Sequence, residues 1–200
     1  MNRLILASSS PRRIDLLRQV RMNPEVVPPN ADETVKKGEL PQALVKRLSA
    51  VKAESVLAQL PPSSETTFII AADTVVVAPN GKTILGKPVD QTDAVKMLKT
   101  LVGRAHLVYT GYTVLQLRDG KIKKKTRVVK SRVQMRKISP QEIQNYVATG
   151  EPMDKAGSYA AQGIGMSLIQ EIRGSYTNVV GLPMAQLLED LDKEFGFSVF

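Results

Sequence analysis

The sequence has no cysteine, no tryptophan and a single histidine, and its aromatic content is only 4%. Without cysteine, disulfides and thiolate metal sites are excluded. With His106 as the only imidazole, Ser–His–Asp catalysis would depend on one residue in an expected strand, and no Gly-x-Ser-x-Gly elbow accompanies it. That histidine reads as structural. Scarce aromatics argue against a stacking platform for single-stranded nucleic acid. No apolar run approaches the roughly 18 residues that span a bilayer. The apolar stretch Leu4–Ala7 turns polar too soon for a secretory leader, so the cytoplasm is the expected compartment. HExxH, EF-hand and GxGxxG patterns are missing. Gly81-Lys82-Thr83 lacks the glycine a P-loop needs five positions earlier, where Val76 stands, and reads as part of a hairpin turn.

What is present is a globular composition, 42% hydrophobic over 200 residues. That suits one domain, or a domain with a lobe, and allows a sizeable core. Lys and Arg exceed Asp and Glu by 28 to 19, a net +9, which suits polyanionic partners without choosing among them. Hydrophobic periodicity predicts a strand over 3–7, helices over 11–21 and 41–59, and a central strand over 68–78. Pro61–Ser64 is expected to end the second helix. Asn80-Gly81 predicts a hairpin turn, 91–101 a helix, and 106–117 with 121–136 a long hairpin closed by Asp119-Gly120. Ser139-Pro-Gln-Glu142 reads as a capping box opening a helix to Ala148. Residues 167–173 read as a strand and 182–195 as a C-terminal helix. The mixture indicates α/β or α+β, with a mixed sheet favoured over a purely parallel one.

The run Leu4-Ile-Leu-Ala-Ser-Ser-Ser-Pro-Arg-Arg13 carries the clearest chemistry. An apolar strand stops at three serines, and Pro11 opens a helix for which Ser10 is a suitable N-cap. A helix N-terminus offers free backbone N–H groups and partial positive charge. Arg12 and Arg13 add forked donors for phosphate oxygens. Asp73 follows Ile69-Ile-Ala-Ala72, where the chain should be buried. A buried carboxylate needs a partner or a cation, and this one can hold Mg²⁺, activate water, or satisfy nearby N–H groups. Glu33, in the polar loop with Asp32, is a candidate second metal ligand or a solvated acid. Lys52, near Glu54 on its helix, reads by default as a surface lysine. Lys87, in Leu85-Gly-Lys-Pro88, suits phosphate contact from a tight loop. Asp154 and Lys155 suit a local ion pair or a ligand contact. The basic strip Arg118–Lys137, with Lys123, Lys124, Lys125 and Arg127, reads as a solvated hairpin face in preference to a nucleic-acid patch.

LILASSSPRR resembles the opening of the Maf family of nucleotide pyrophosphatases. Ala71-Ala-Asp-Thr74, Gly86-Lys-Pro88, Thr149-Gly-Glu-Pro-Met-Asp-Lys-Ala-Gly157 and Gly174-Ser-Tyr-Thr-Asn-Val-Val-Gly-Leu-Pro183 match the same family in the same order. The resemblance implies one domain over residues 1–200, a fold like the inosine triphosphate pyrophosphatases: an elongated mixed sheet flanked by helices, with two lobes and a central cleft. It implies Asp73 as proton acceptor, Asp73 and Glu33 as ligands of a divalent metal (Mg²⁺ or Mn²⁺), and Ser8, Ser10, Arg12, Arg13, Lys52 and Lys87 around a triphosphate. Arg12, Thr74 and Gln162 are implied in base selection. The implied reaction cleaves between the α- and β-phosphates, and a homodimer is common in the family. Arg12, Thr74 and Gln162-Gly163 resemble the branch acting on dTTP and UTP. The sister branch acts on 7-methyl-GTP and carries tryptophan and glutamine where Arg12 and Thr74 stand. Ala160-Ala161 departs from the Gly-Ile usual in the pyrimidine branch. A reading of another class is a nucleic-acid-binding or division-regulating interaction protein.

Overall fold

The alternation of short apolar strands with amphipathic segments folds into one mixed sheet flanked by helices. The computed structural model describes residues 2–61 and 64–199. In chain order the elements are β1 (Asn2–Ala7), α1 (Pro11–Gln19), β2 (Glu25–Val26), α2 (Pro41–Leu57), β3 (Thr66–Val77), β4 (Ile84–Leu85), α3 (Gln91–Leu101), β5 (Ala105–Arg118), β6 (Lys121–Met135) and α4 (Pro140–Ala148). Three short 3₁₀ turns follow, over Glu151–Asp154, Ala156–Ser158 and Gly163–Leu168, then β7 (Ile169–Arg173), α5 (Tyr176–Val180) and α6 (Met184–Phe195). The sheet order is β2-β1-β3-β5-β6-β7, with β4 paired to β3. β1 runs parallel to β2 and β3, while β4 is antiparallel to β3 and β7 to β6. The sheet is therefore mixed, as the hairpins and crossovers together require.

Contacts divide the chain into two compact units. The first holds residues 1–73, 110–129 and 181–200; the second holds 74–109 and 130–180. β3, β5 and β6 each contribute residues to both. In the first unit, Ile5, Ala7, Ile69 and Ala71 from alternate strand positions pack with Ala53 and Val56 of α2 and with Leu115. Burying each large aliphatic side chain there is worth about 1.5–3 kcal/mol. α2 lies unusually close to β5: a Cβ on Gly111 would stand 2.3 Å from the Val45 carbonyl oxygen, so only glycine admits this helix. In the second unit, Ala94, Leu98 and Leu101 of α3 pack with Ile143, Tyr146 and Val147 of α4 and with Val108, Val133 and Tyr159.

Several elements differ from the sequence expectation. α1 ends at Gln19, two residues early, because Arg21 adopts a left-handed backbone with φ 62°. Ser10 has N-cap backbone geometry but no side-chain cap; the Arg13 and Ile14 N–H groups donate to the Ser10 carbonyl instead. α2 ends at Leu57, with the Ala58 N–H bonded to the Glu54 carbonyl. Of the Pro61–Ser64 stretch, Pro62 and Ser63 lie outside the described residues. The strand expected over 167–173 begins only at Ile169, since Gly163–Leu168 coil into a 3₁₀ turn. The short helix α5 had no periodic signal. The capping box at Ser139 and Glu142 forms with both reciprocal bonds. Asn80 Oδ1 accepts from the Lys82 and Thr83 N–H groups, which makes that triplet a hairpin turn.

The lysine-rich strip is exposed at its tip, as expected, and also makes surface ion pairs. Lys124 pairs with Glu54 of α2, Lys125 with Glu194, and Arg127 with Glu189 and Asp190 of α6. Lys123 donates to the Glu194 carbonyl. The basic strand thus meets acids of its own unit. No helix among the described residues is long and apolar enough to cross a membrane.

Candidate active site

Parallel pairing builds the site in the first unit. β1 and β3 run in register to Ala7 and Ala71. Beyond that pair the serine loop leaves one strand, and Asp73 follows two positions on along the other. β1 ends here, where ligand sites in such sheets lie, while β3 runs on to Val77. Strand alternation also fixes where Asp73 points. Ile69 and Ala71 face α2, so Asp73, two residues on, faces α2 as well. On α2, Val45, Ser49, Lys52, Ala53 and Val56 are all buried, the i, i+4, i+7, i+8, i+11 stripe of a helix lying on a sheet.

Lys52 is therefore not a surface lysine. Its side chain is 9% exposed, and its Nζ stands 2.8 Å from Asp73 Oδ1 and 2.7 Å from Glu33 Oε2. The ammonium offsets the desolvation of Asp73 and draws in Glu33 from its exposed loop. That loop is shaped locally. Asp32 accepts from the Thr34 N–H and hydroxyl, and Arg47 of α2 holds the Thr34 carbonyl and the Glu39 carboxylate. The hydrogen-bonded Arg47 guanidinium pulls the Glu39 carboxyl down from 4.5 to about 2.

The serine loop meets the same electrostatic neighbourhood. Ser8 is buried, and its Oγ accepts from the Ser10 N–H at 3.2 Å and from Arg13 Nη1 at 3.1 Å. Arg13 Nε donates to the Gly181 carbonyl at 2.8 Å, anchoring the first turn of α1 to the segment entering α6. Burial pushes the Arg13 guanidinium below its ordinary value, and the charges of Asp73 and Glu33 oppose that shift, whereas Arg12 adds to it. Asp73, Glu33, Lys52, Arg13, Arg12 and Ser8 are thus brought into one polar, partly desolvated corner. Of the remaining sequence candidates, Ser10 belongs to the same loop.

Thr74, Lys87 and Gln162 belong to the second unit. Thr74 is half-buried on β3 next to Asp73 in the chain. Lys87 is exposed just past β4, where the Gly86 carbonyl accepts the Gly157 N–H at 3.0 Å. Gln162 is half-buried at the start of the last 3₁₀ turn. Lys155 pairs with the neighbouring Asp154 and donates to the Glu151 carbonyl, the local ion pair its sequence position suggested. His106 is buried with its Nε2 2.8 Å from the Tyr159 hydroxyl, a core position. Glu151 was missed in the sequence: its carboxylate gathers a hydroxyl and two backbone N–H groups. Its presence inside the Thr149–Gly157 block was the available signal.

The donor set suits a hard divalent ion. Asp73 and Glu33 each present a carboxylate oxygen to the same ammonium. Mg²⁺ is commonly held by one or two carboxylates, with substrate phosphates and water completing the shell. Among the described residues no three histidine, cysteine, aspartate or glutamate side chains group as a metal cage.

Residues 3–194 match the family model described as Maf-like protein. The chain is 46% identical over 198 residues to a dTTP/UTP pyrophosphatase of Syntrophus aciditrophicus, covering 99% of this chain and 92% of that protein. It is 45% identical over 201 residues to a dTTP/UTP pyrophosphatase of Pelotomaculum thermopropionicum, covering 100% of each. A crystal structure of a nucleoside-triphosphatase (dITP/XTP pyrophosphatase) from Mycobacterium abscessus covers 97% of this chain and 94% of that one, at 10% identity and a TM-score of 0.36. That likeness is too distant to carry a fold assignment. The family model runs through every motif that builds the polar corner around Asp73, and the full-length relatives agree with it: the chain belongs to the Maf family.

Proposed function

We propose that this chain hydrolyses dTTP and UTP to the nucleoside monophosphate and pyrophosphate, with a divalent cation (Mg²⁺ or Mn²⁺), as one nucleotide-pyrophosphatase domain over residues 1–200. The observation that carries this reading is the convergence of Asp73 of β3, Lys52 of α2 and Glu33 just beyond the end of the parallel β1–β3 pairing, beside the serine loop and Arg13. Phosphoryl transfer needs charge neutralisation and a positioned water more than covalent help. Asp73 takes the proton from the attacking water as the new P–O bond forms. The bond between the α- and β-phosphates breaks, and pyrophosphate leaves with the electron pair. Asp73 and Glu33 would hold the divalent ion, which supplies positive charge to the phosphate oxygens. Ser8, Ser10, Arg12, Arg13, Lys52 and Lys87 donate to the triphosphate. Lys52 has a second task, aiming Asp73 through its 2.8 Å hydrogen bond. Arg12, Thr74 and Gln162 select the base.

A cytoplasmic, nucleotide-pool role accompanies this reading, as does a homodimer, which light scattering would test. The reaction is tested by pyrophosphate release from dTTP, UTP, CTP, GTP, ATP and 7-methyl-GTP, with and without Mg²⁺ or Mn²⁺. Metal-dependent release confined to dTTP and UTP is expected. Release from 7-methyl-GTP alone would keep the chemistry and overturn the assignment of Arg12, Thr74 and Gln162. No release by folded protein would sink the enzymatic reading and favour an interaction protein.

A further inference from the structure

The Glu151 carboxylate sits beneath the turn that carries Gln162. Its Oε1 accepts the Ile164 N–H at 2.8 Å, and its Oε2 accepts the Gly165 N–H at 2.7 Å and the Tyr146 hydroxyl at 2.8 Å. The Tyr146 oxygen in turn accepts the Ala160 N–H at 3.1 Å. One tyrosine–glutamate couple therefore ties both ends of the segment from Ala160 to Gly165. A third tether runs from the Tyr176 hydroxyl to the Ala161 carbonyl at 3.4 Å.

The two glycines of this turn are shaped to admit the couple. Gly163 has φ +68°, and a Cβ there would lie 2.2 Å from Glu151 Oε1. A Cβ on Gly165 would lie 2.5 Å from both the Tyr146 hydroxyl and the Ala160 carbonyl oxygen. The chain leaves no room for side chains so that a carboxylate can approach the backbone. Gly150, with φ +78°, turns α4 into the segment that delivers Glu151.

A carboxylate is the group this geometry demands. All three of its partners are donors, and an ionised acid only accepts. An amide in its place would turn an NH₂ toward a backbone N–H and strand it. Bonds to a charged acceptor are about twice as strong as neutral ones, so the turn is held more firmly than a surface 3₁₀ segment would otherwise be.

We propose that Glu151 is a positioning residue for nucleotide selection: through the Ile164 and Gly165 N–H groups and Tyr146 it holds the Gln162 turn in the one arrangement that discriminates the base. This rests on the reading of Gln162 as a base contact. It assigns Glu151 no contact with the nucleotide and no part in the proton transfer.

The test compares Glu151→Gln, Tyr146→Phe and Gln162→Ala in the folded full chain, each judged folded by circular dichroism. The readouts are KM and kcat for dTTP, the ratio of kcat/KM for dTTP over GTP, and hydrogen exchange at Ile164 and Gly165. Losing one charged hydrogen bond is worth about a tenfold change in an equilibrium constant or more. Glu151→Gln is expected to lower the dTTP-over-GTP ratio roughly tenfold, with the loss mainly in KM, and to speed exchange at the two amides. Tyr146→Phe should move the same quantities in the same direction by less. If Gln162→Ala lowers the ratio and folded Glu151→Gln leaves it unchanged, the positioning role is overturned while the base contact stands. An unchanged ratio in Gln162→Ala overturns the base contact itself, and the positioning role with it. A variant that only melts earlier, with ratio and KM intact, marks Glu151 as a structural brace and also overturns the proposal.

Discussion

Replacing Asp73 by asparagine should abolish most turnover and leave the fold standing. The substitution keeps shape and removes one negative charge. Lys52 Nζ then loses its charged partner at 2.8 Å but keeps Glu33 at 2.7 Å, and the asparagine carbonyl can still accept its hydrogen bond. Stranding a buried charge outright costs about 3–5 kcal/mol. Here the ammonium is not stranded, and burying a neutral amide is less costly than burying a carboxylate, so a loss of no more than about 2 kcal/mol is expected. For a chain of this size each kcal/mol moves Tm by about 2–4 °C, so Asp73→Asn should melt within roughly 8 °C of wild type. Turnover responds differently, because the proton of the attacking water loses its acceptor. General-base catalysis is worth about 10²–10⁴-fold, or about 3–5 kcal/mol of barrier. The assay is pyrophosphate release from dTTP at saturating Mg²⁺, paired with a thermal melt of the same preparation. A folded Asp73→Asn protein turning over within tenfold of wild type would refute the role of Asp73. A protein that fails to fold would refute the account of Lys52 as a cation shared by two carboxylates.

Two further outcomes probe the scaffold. Gly111→Ala drives a methyl group to 2.3 Å from the Val45 carbonyl; neither backbone can yield cheaply, so a destabilisation of about 1–3 kcal/mol is expected, with turnover falling as Lys52 shifts with α2. An unchanged melting temperature would contradict that close approach. Burial pushes His106 down from 6.5 to about 4. A histidine held neutral in the fold contributes stability above the unfolded pKa and loses it as pH falls from about 6.5 through 4, about 3 kcal/mol in all. Melting curves from pH 7 to 4 should fall less steeply for His106→Gln than for wild type; parallel slopes would exclude this group as a source of acid sensitivity.

The two strands that meet at the site were legible because their chemistry is local. Leu4–Ala7 and Phe68–Ala72 are short apolar runs, each ended by a polar signal, the serines in one case and Asp73 in the other. Asp73 stood out for the same reason that it is useful: a carboxylate directly after a buried run needs a partner. Its partner was not legible. Lys52 lies on the buried stripe of α2, but Ser49 interrupts the apolar periodicity there and Val51 and Leu57 blur its edge. The lysine-rich hairpin was legible as an exposed charged face, but its ion pairs were not, because the acids that meet it, Glu54, Glu189 and Glu194, lie roughly 60–70 residues away in the chain. Long-range pairs of this kind have no period to read. Glu151 escaped notice because two of its three partners are backbone N–H groups, which every residue carries.

By itself the sequence determined which residues are able to act: a serine loop before a helix, two arginines, a carboxylate directly after a buried apolar run, and five motif blocks in family order. It also determined most of the longer helices and the hairpins, whose capping and turn signals lie within a few residues of one another. Only the tertiary structure decided which groups meet. Strand register set Asp73 on the face toward α2, the missing side chain of Gly111 let that helix approach, and the approach brought the Lys52 ammonium between two carboxylates. Side-chain identity is written locally, but charge neutralisation acts over a few ångströms in space, and only the packed sheet and helix bring distant residues within that range.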